Sequence, residues 1–260
     1  HHTGQIFNTK DMIPASLFHK ATNRFGDIPK IESPNDPQNS WLVDLLCLEI
    51  LPIRRPTLTH LWINEPDHVQ HQHGIGSPEA LKSIRHADET VGRIMETLIE
   101  LGTDGATDVI LTSDHGFSSG FGEGKMIDRV VDAGLKRSKG SAELVVDSAR
   151  FYPNENDKRQ RIKIAEWLNS QDDVGPVFAD SDTASEAGCF DSQIIWQNHP
   201  RSAPVMVGGI WDGSENNEGY PGRSSISGTA GHGTLSPYDL EQTMIACGPS
   251  FAQGEVRNTP

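Results

Sequence analysis

The sequence has 260 residues, a formal net charge of −14 and a hydrophobic fraction of 35%. This length fits one large domain or a core with an insertion, and the apolar content suffices for a buried core. The acidic charge argues against nucleic acid as a ligand, because phosphate backbones are held by Lys and Arg. No run approaches the roughly 18 consecutive apolar residues of a membrane span, and no charged-then-apolar leader assigns a compartment. Three scattered cysteines without a CxxC pair indicate neither a disulfide framework nor a thiolate metal site.

The first part of the chain predicts two helices and a strand. A short helix is predicted at Ala15–Asn23, and an amphipathic helix at Trp41–Ile50, closed by Pro52. The run LTHLWIN, Leu58–Asn64, has the apolar character of a strand.

A long helix and a second strand follow. Ser77 and Pro78 form a helix start, the apolar residues between Leu81 and Ile99 recur at helical spacing as a core-facing stripe, and Gly102 ends the helix. Asp108–Thr112 (DVILT) predicts a strand of the buried parallel type. Strand, helix and strand in this order predict an α/β fold with a mainly parallel central sheet flanked by helices.

Residues from about 120 to 229 are predicted to be an inserted subregion on the substrate side of a core formed by 1–119 and 230–260. The insertion contains a predicted helix at Asp157–Asn169, strand-like runs at Ser192–Gln197 and Val205–Trp211, and loops at Ser214–Gly222 and Arg223–Gly233.

Two Asp/His pairs follow the predicted core strands. LTHLWIN leads into Asp67 and His71, and DVILT leads into Asp114 and His115. Because ligands bind beyond the carboxyl ends of parallel strands, both pairs fall where a site is expected. The four-residue spacing of the first pair lets a carboxylate and an imidazole converge on one ion if the loop opened by Pro66 turns back.

Adjacent Asp114 and His115 point to opposite faces of an extended strand, so they share a metal only where the strand breaks. Gly116 permits that break. His232 lies between two glycines, in a flexible segment that can bring a distant ligand across. Imidazole and carboxylate ligands without thiolate suit Zn²⁺ first, with Mn²⁺ or Fe behind.

Each signal has a commoner interpretation. A lone DxxxH is usually a solvated loop, a lone Asp-His is more often a hydrogen-bonded turn, and a lone His between glycines is usually exposed. His68 and His73 are interpreted as surface residues or supporting neighbours. Three signals at the expected edges of one sheet nevertheless favour a metal site.

The segments EPDHVQHQHG, TSDHGF and GHGTLSPYDLEQTMIACGPSF resemble three metal-ligand motifs of the alkaline phosphatase superfamily. They are most similar to those of the type I phosphodiesterase/nucleotide pyrophosphatase branch. The resemblance is specific over residues 58–118 and 230–254 and weak in the insertion. It implies an alkaline phosphatase-like fold and two divalent metal ions, zinc first. Asp67, His71 and His232 match the ligands of one zinc, and Asp114 and His115 match two ligands of the other.

The family's second site also requires another Asp and a Ser or Thr nucleophile, from an N-terminal strand and helix start that this sequence does not show. The opening HHTGQIFN resembles the segment just after that nucleophile. We therefore expect an internal piece of a longer protein that lacks both ends. Thr3 and Thr9, the early hydroxyls near this stretch, are not assigned as nucleophile.

The resemblance implies metal-dependent hydrolysis of small-molecule phosphate esters, first of all phosphodiester or nucleotide pyrophosphate bonds. The alternatives within the superfamily are a phosphomonoesterase, a phosphonate hydrolase and a sulfatase; no Cys here has the CxPxR context of a sulfatase nucleophile. The alternative from another class is a non-catalytic metal-binding fragment with an incomplete site. The sequence leaves the oligomeric state open.

Overall fold

The computed structural model describes residues 6–7, 12–122, 124–154 and 157–255. They divide into two units, His1–Thr112 with Thr243–Pro260 and Ser113–Gln242. The assignment of residues 120–229 as an insertion on a core stays a prediction.

The first unit is mainly helical. Its helices are α1 (Ser16–Phe25), α2 (Asp36–Leu45), α3 (Asp67–His73) and α4 (Pro78–Glu100), with a π-helical segment at Leu46–Arg54 and a 3₁₀ turn at Asp104–Ala106. Its strands are β1 (Ile6–Phe7), β2 (Met12–Ile13), β3 (Val109–Thr112) and β13 (Met244–Cys247). A buried cluster of Met12, Leu17, Ala21, Trp41 and Leu45 packs α1 against α2.

The helix predicted at Trp41–Ile50 is longer at both ends, and Pro52 does not close it. α2 begins at Asp36, and helical structure continues through Pro52 as the π segment. The backbone here has the i→i−5 spacing of a π-helix, as in the bond from the N–H of Arg55 to the carbonyl of Ile50. The Arg24 guanidinium donates to the carbonyl of Leu48, in the turn before Pro52, at 2.9 Å.

The long helix starts and stops as predicted, but its apolar stripe does not face a core. Ser77 Oγ accepts the backbone N–H of Ala80 at 3.1 Å, and Gly102 follows the end with a φ of 65°. The buried positions of α4 are Ala80, Ser83, Thr90 and Leu98, whereas Leu81, Ile84 and Ile99 are exposed. Small residues on the buried face allow α4 to lie close against its neighbours, and this packing outweighs the aliphatic periodicity.

The prediction of a strand at Leu58–Asn64 is wrong. The segment has no strand structure, and Leu58 and Trp62 are 87% and 59% exposed. A strand needs a neighbour that pairs with its backbone groups, and none of the strands described pairs with this segment. The strand at DVILT is confirmed as β3, but it is largely exposed and pairs antiparallel with β13.

The second unit contains two sheets. Its strands are β4 (Ser118–Gly122), β5 (Leu144–Asp147), β6 (Arg150–Pro153), β7 (Val174–Ala179), β8 (Phe190–Asp191), β9 (Val205–Gly209), β10 (Trp211–Glu215), β11 (Pro221–Ser227) and β12 (Ala230–Gly231). Its helices are α5 (Met126–Asp132), α6 (Lys158–Asn169), α7 (Ser181–Ala187) and the short α8 (Pro237–Leu240), with a 3₁₀ turn at Ser192–Ile195. The sheet orders are β5-β6-β9-β7-β8 and β10-β11-β4-β12.

The five-stranded sheet packs against α6 over a buried apolar core that includes Phe151, Ile164, Leu168 and Val205. The helix predicted at Asp157–Asn169 is confirmed, and Asp157 caps it by accepting the N–H of Gln160.

Two sequence predictions in this unit need correction. Ser192–Gln197 is not a strand, because Asp191 Oδ1 accepts the N–H of Gln193 at 2.8 Å and starts a 3₁₀ turn instead. The segments predicted as loops at Ser214–Gly222 and Arg223–Gly233 contain β11 and β12.

The α/β class is confirmed, and the sheets are mixed rather than strictly parallel. β4 pairs parallel with β11 and β7 parallel with β8, whereas the other described pairings are antiparallel. In the part of the chain described, no helix is both long enough and apolar enough to cross a membrane.

Candidate metal centre

Asp67 and His71 lie on helix α3, not in a loop. A helical period of 3.6 residues places positions i and i+4 on one face, so the two side chains lie side by side. His71 Nε2 is 3.5 Å from Asp67 Oδ1, and both side chains are about two-fifths exposed, at 40% and 42%. The pair is therefore preformed, with its two donor atoms already side by side.

Glu65, which the sequence analysis did not single out, anchors the start of α3. Its buried carboxylate accepts the backbone N–H of Asn35 at 2.8 Å and that of Val69 at 3.1 Å. His68 Nδ1 lies 3.5 Å from the same carboxylate. His68 is thus a neighbour that faces Glu65, and Glu65 holds the turn that carries Asp67.

Asp114 and His115 lie beyond the end of β3 and approach each other. His115 Nε2 is 3.5 Å from Asp114 Oδ1, and the Asp114 side chain is half-exposed. Gly116 matters here through its lack of a side chain, since a Cβ at this position would lie 2.0 Å from the carbonyl oxygen of Tyr238. The backbone N–H of Gly116 donates to the carbonyl of Asp239 at 2.7 Å.

His232 lies against His115. The two imidazole rings are stacked, with centroids 3.4 Å apart and an angle of 13° between their planes. Phe117 flanks both rings, at centroid distances of 5.6 Å from His115 and 5.3 Å from His232. Gly233, with a φ of 99°, provides a backbone conformation that few other residues adopt. Asp114, His115 and His232 therefore form one cluster within the second unit.

The two Asp–His pairs have the separation expected of ligands that share one zinc ion. Zn–N and Zn–O bonds of about 2.0–2.2 Å at a tetrahedral angle put two donor atoms about 3.4 Å apart. Both pairs have donor atoms 3.5 Å apart, without a thiolate. The residues present fit a divalent metal such as zinc. The convergence of His232 with Asp67 and His71 stays a prediction, because they belong to different units.

The sequence analysis missed the buried carboxylates Glu65 and Asp239, which accept hydrogen bonds near the proposed ligands. Each stands at the start of a short helix, next to a proposed ligand segment. For Glu65 the available signal was an acidic residue beside Pro66 at a helix start, since backbone N–H groups collect there.

Comparison with known proteins identifies the family. A model of the type I phosphodiesterase / nucleotide pyrophosphatase family matches residues 10–212, which is most of the chain. The chain belongs to this family. The match confirms the resemblance to the family, and it includes the first two of the three motifs.

Curated relatives match a shorter stretch. Rat ectonucleotide pyrophosphatase/phosphodiesterase family member 1 is 35% identical over 95 residues, which are 36% of this chain and 10% of the rat protein. Venom phosphodiesterase of Naja atra is 30% identical over 101 residues, which are 38% of this chain and 12% of the venom protein. The matched stretch thus spans about a tenth of the length of these relatives.

Solved structures support the fold. Murine ectonucleotide pyrophosphatase/phosphodiesterase 5 has a TM-score of 0.57 at 17% identity, over 82% of this chain and 53% of that chain. Phosphonoacetate hydrolase from Sinorhizobium meliloti has a TM-score of 0.53 at 14% identity, over 90% of this chain and 56% of that chain. The alkaline phosphatase PafA has a TM-score of 0.54 at 18% identity, over 73% of this chain and 39% of that chain. The family fold is therefore alkaline phosphatase-like.

Proposed function

We propose that this chain carries the metal-binding part of an enzyme that hydrolyses phosphate esters, first of all phosphodiester or nucleotide pyrophosphate bonds. The observation that carries the proposal is the pair of Asp–His arrangements, each with its donor atoms 3.5 Å apart. Membership of the family and the names of the relatives support the reaction class.

The proposal assigns Asp67, His71 and His232 to one zinc ion, and Asp114 and His115 to a second. The side-by-side donors of α3 support the first assignment, and the convergence of Asp114 with His115 supports the second. His232 stacks on His115, so a rotation of either ring alters the position of the other.

Zinc, when bound, supplies positive charge to the phosphate oxygens and lowers the pKa of the attacking hydroxyl. The chain's own residues hold and orient that charge. By holding divalent ions, two carboxylates and three imidazoles would let a protein with a net charge of −14 bind an anionic small-molecule ester without a basic patch. Following the resemblance, the nucleophile is assigned to a Ser or Thr upstream of His1 in the longer protein.

The test of activity compares bis(p-nitrophenyl) phosphate with p-nitrophenyl phosphate as substrates of the protein with its native upstream sequence. We expect the diester to be preferred, chelation to abolish turnover and zinc to restore it. Asp67→Ala and His115→Ala should each lower kcat/KM by more than about 100-fold, since loss even of a residue that supports a ligand costs 10–100-fold. His73→Ala, at an exposed position of the same helix, is the control and should leave the rate unchanged. Full activity of the two ligand variants contradicts the proposal.

The same assays on the 260-residue chain should give very little turnover, lower by several powers of ten, because the nucleophile is assigned outside it. Turnover by this chain at a rate normal for an enzyme would show that the nucleophile lies within it.

Zinc titration of the 260-residue chain tests the two assignments separately. Three protein ligands hold zinc more firmly than two, so the Asp67/His71/His232 position should fill first. His232→Ala should then remove the tightest binding event in calorimetry, and Asp114→Ala should leave it. The reverse pattern means that the order is wrong.

A further inference from the structure

The stacked rings of His115 and His232 belong to segments that are far apart in the sequence and that pair as β4 and β12. One buried carboxylate adds a side-chain link between them. Asp239 is 2% exposed. Its Oδ1 accepts a hydrogen bond from Ser118 Oγ, across 121 residues of sequence. Its Oδ2 accepts the backbone N–H and the hydroxyl of Thr234, at 2.9 and 2.7 Å.

These contacts lie close to both rings. Ser118 is three residues after His115, and Thr234 is two residues after His232. The backbone carbonyl of Asp239 also accepts the N–H of Gly116, the residue next to His115. Asp239 therefore contacts both segments, in each case just C-terminal to the histidine.

We propose that Asp239 is a positioning residue that sets the face-to-face arrangement of His115 and His232. The effect of Asp239 on the ring stack is inferred from the hydrogen bonds alone. Its effect on metal binding rests on the proposed function. Without the carboxylate, the buried donors of Ser118 and Thr234 lose their acceptor. The residues that follow each ring can then shift, although β4 and β12 still pair through Ser118 and Gly231. A metal ligand displaced in this way binds more weakly, as it does when any supporting hydrogen bond is lost.

The hydrogen-bond pattern predicts which substitution keeps the geometry. An asparagine has one carbonyl oxygen, which can accept both donors of Thr234, and an amide that can donate to Ser118 Oγ, because a hydroxyl also accepts. Asp239→Asn should therefore preserve the stack, and Asp239→Ala should not. Ser118→Ala removes the side-chain link from Asp239 to the His115 segment, keeps its contacts with Thr234, and tests the proposal if Asp239→Ala does not fold.

A matched control separates positioning from stability. Asp180 in the same unit also accepts the backbone N–H and the hydroxyl of one threonine, Thr183, at 3.1 and 3.0 Å. It also pairs with Arg161 and caps α7. Its described hydrogen bonds do not involve the two ring-bearing segments, so Asp180→Ala should lower stability without moving the rings.

The experiment records the imidazole proton shifts of His115 and His232 in the metal-free chain by NMR, and then the zinc affinity. Stacked rings shift each other's protons upfield, and this shift should be lost in Asp239→Ala, reduced in Ser118→Ala, and kept in Asp239→Asn and Asp180→Ala. Zinc affinity should fall about 10–100-fold in Asp239→Ala and stay within a few-fold of wild type in Asp180→Ala.

Two outcomes overturn the proposal. One is an Asp239→Ala chain that folds and keeps the upfield shifts. The other is an Asp180→Ala chain that loses the upfield shifts when its loss of unfolding free energy equals that of Asp239→Ala. Loss of the stack in Asp239→Ala, in a chain that binds no zinc even as wild type, supports the positioning role and contradicts the proposed function.

Discussion

Glu65 and Asp239 are carboxylates that hold ligand segments through hydrogen bonds rather than through a metal. At Glu65 the two donors are backbone N–H groups of Asn35 and Val69, residues that are 4% and 1% exposed. Neither donor can turn to water when the acceptor is removed. The orientation of Asp67 therefore depends on a residue two positions earlier.

Glu65→Ala should lower the free energy of unfolding by about 2–4 kcal/mol, because two buried N–H groups lose their acceptor. Glu65→Gln keeps one acceptor oxygen and should lose roughly half as much. Urea denaturation measures both, with Glu100→Ala at an exposed position of α4 as control, expected within about 0.5 kcal/mol of wild type. An equal, negligible effect of Glu65→Ala and Glu100→Ala means that Glu65 does not hold α3.

The sequence was sufficient to find the five proposed ligands but not the residues that place them. Asp67, His71, Asp114, His115 and His232 stand out because Asp and His recur at segment ends. Asp239 does not stand out, since its partners Ser118 and Thr234 are ordinary hydroxyl residues and the contact spans 121 residues of sequence. A hydrogen bond of that span leaves no periodic signal in a single sequence.

Helices and strands were predicted correctly where interactions between residues close in sequence decide them, and wrongly where distant residues do. Helix α4 was predictable because Ser77, Pro78 and Gly102 act within one turn. The strand at Leu58–Asn64 was not, because a strand depends on a neighbour elsewhere in the chain. The helix through Pro52 was missed because proline usually ends an α-helix, whereas here the helical backbone continues with π-helical spacing.

Strand β3 begins next to Asp108, which holds the segment after β13. Hydrogen bonds from Ser250 hold the pKa of the Asp108 carboxyl below its ordinary value, and the backbone N–H of Ser250 lies 3.0 Å from Oδ1. A lowered pKa in the folded state stabilises the fold above the unfolded pKa of about 3.9. This contribution disappears as the pH falls through the folded pKa.

The thermal unfolding midpoint of Asp108→Asn should therefore lie below that of the wild type near pH 7, and the two should converge as the pH falls below about 4. Asp104→Asn, in the adjacent 3₁₀ turn, is the control. A difference between Asp108→Asn and wild type that grows on acidification would contradict the assigned interaction.

The ribbon of β3 and β13 exposes apolar side chains on both faces. Ile245, which pairs with Leu111, is 57% exposed, and on the other face Ile110 and Met244 are 56% and 68% exposed. Exposed apolar strands with open edges promote association between chains.

Ile245→Lys should reduce the concentration-dependent light scattering of the purified chain, because a charge opposes edge-to-edge pairing. Its unfolding midpoint should change little, since the side chain is more than half exposed. Ile245→Val keeps the apolar character and should scatter like the wild type. A large loss of stability without a change in scattering means that Ile245 is packed and does not mediate association.

The contact between Ser118 and Asp239 also has a consequence for the order of folding. Closing a loop of 121 residues costs about 4 kcal/mol of chain entropy, whereas β5 and β6 pair across a short hairpin. The hairpin and its core around Phe151 can therefore form early, while the segments of Gly116 and Thr234 join last. Pulse-labelled hydrogen exchange during refolding should show late protection of the Gly116 amide, whose acceptor is the distant carbonyl of Asp239. Simultaneous protection of Gly116 and Phe151 would exclude this order. A chain whose folding has not reached this last step would then have its Phe151 core but could not yet bind metal.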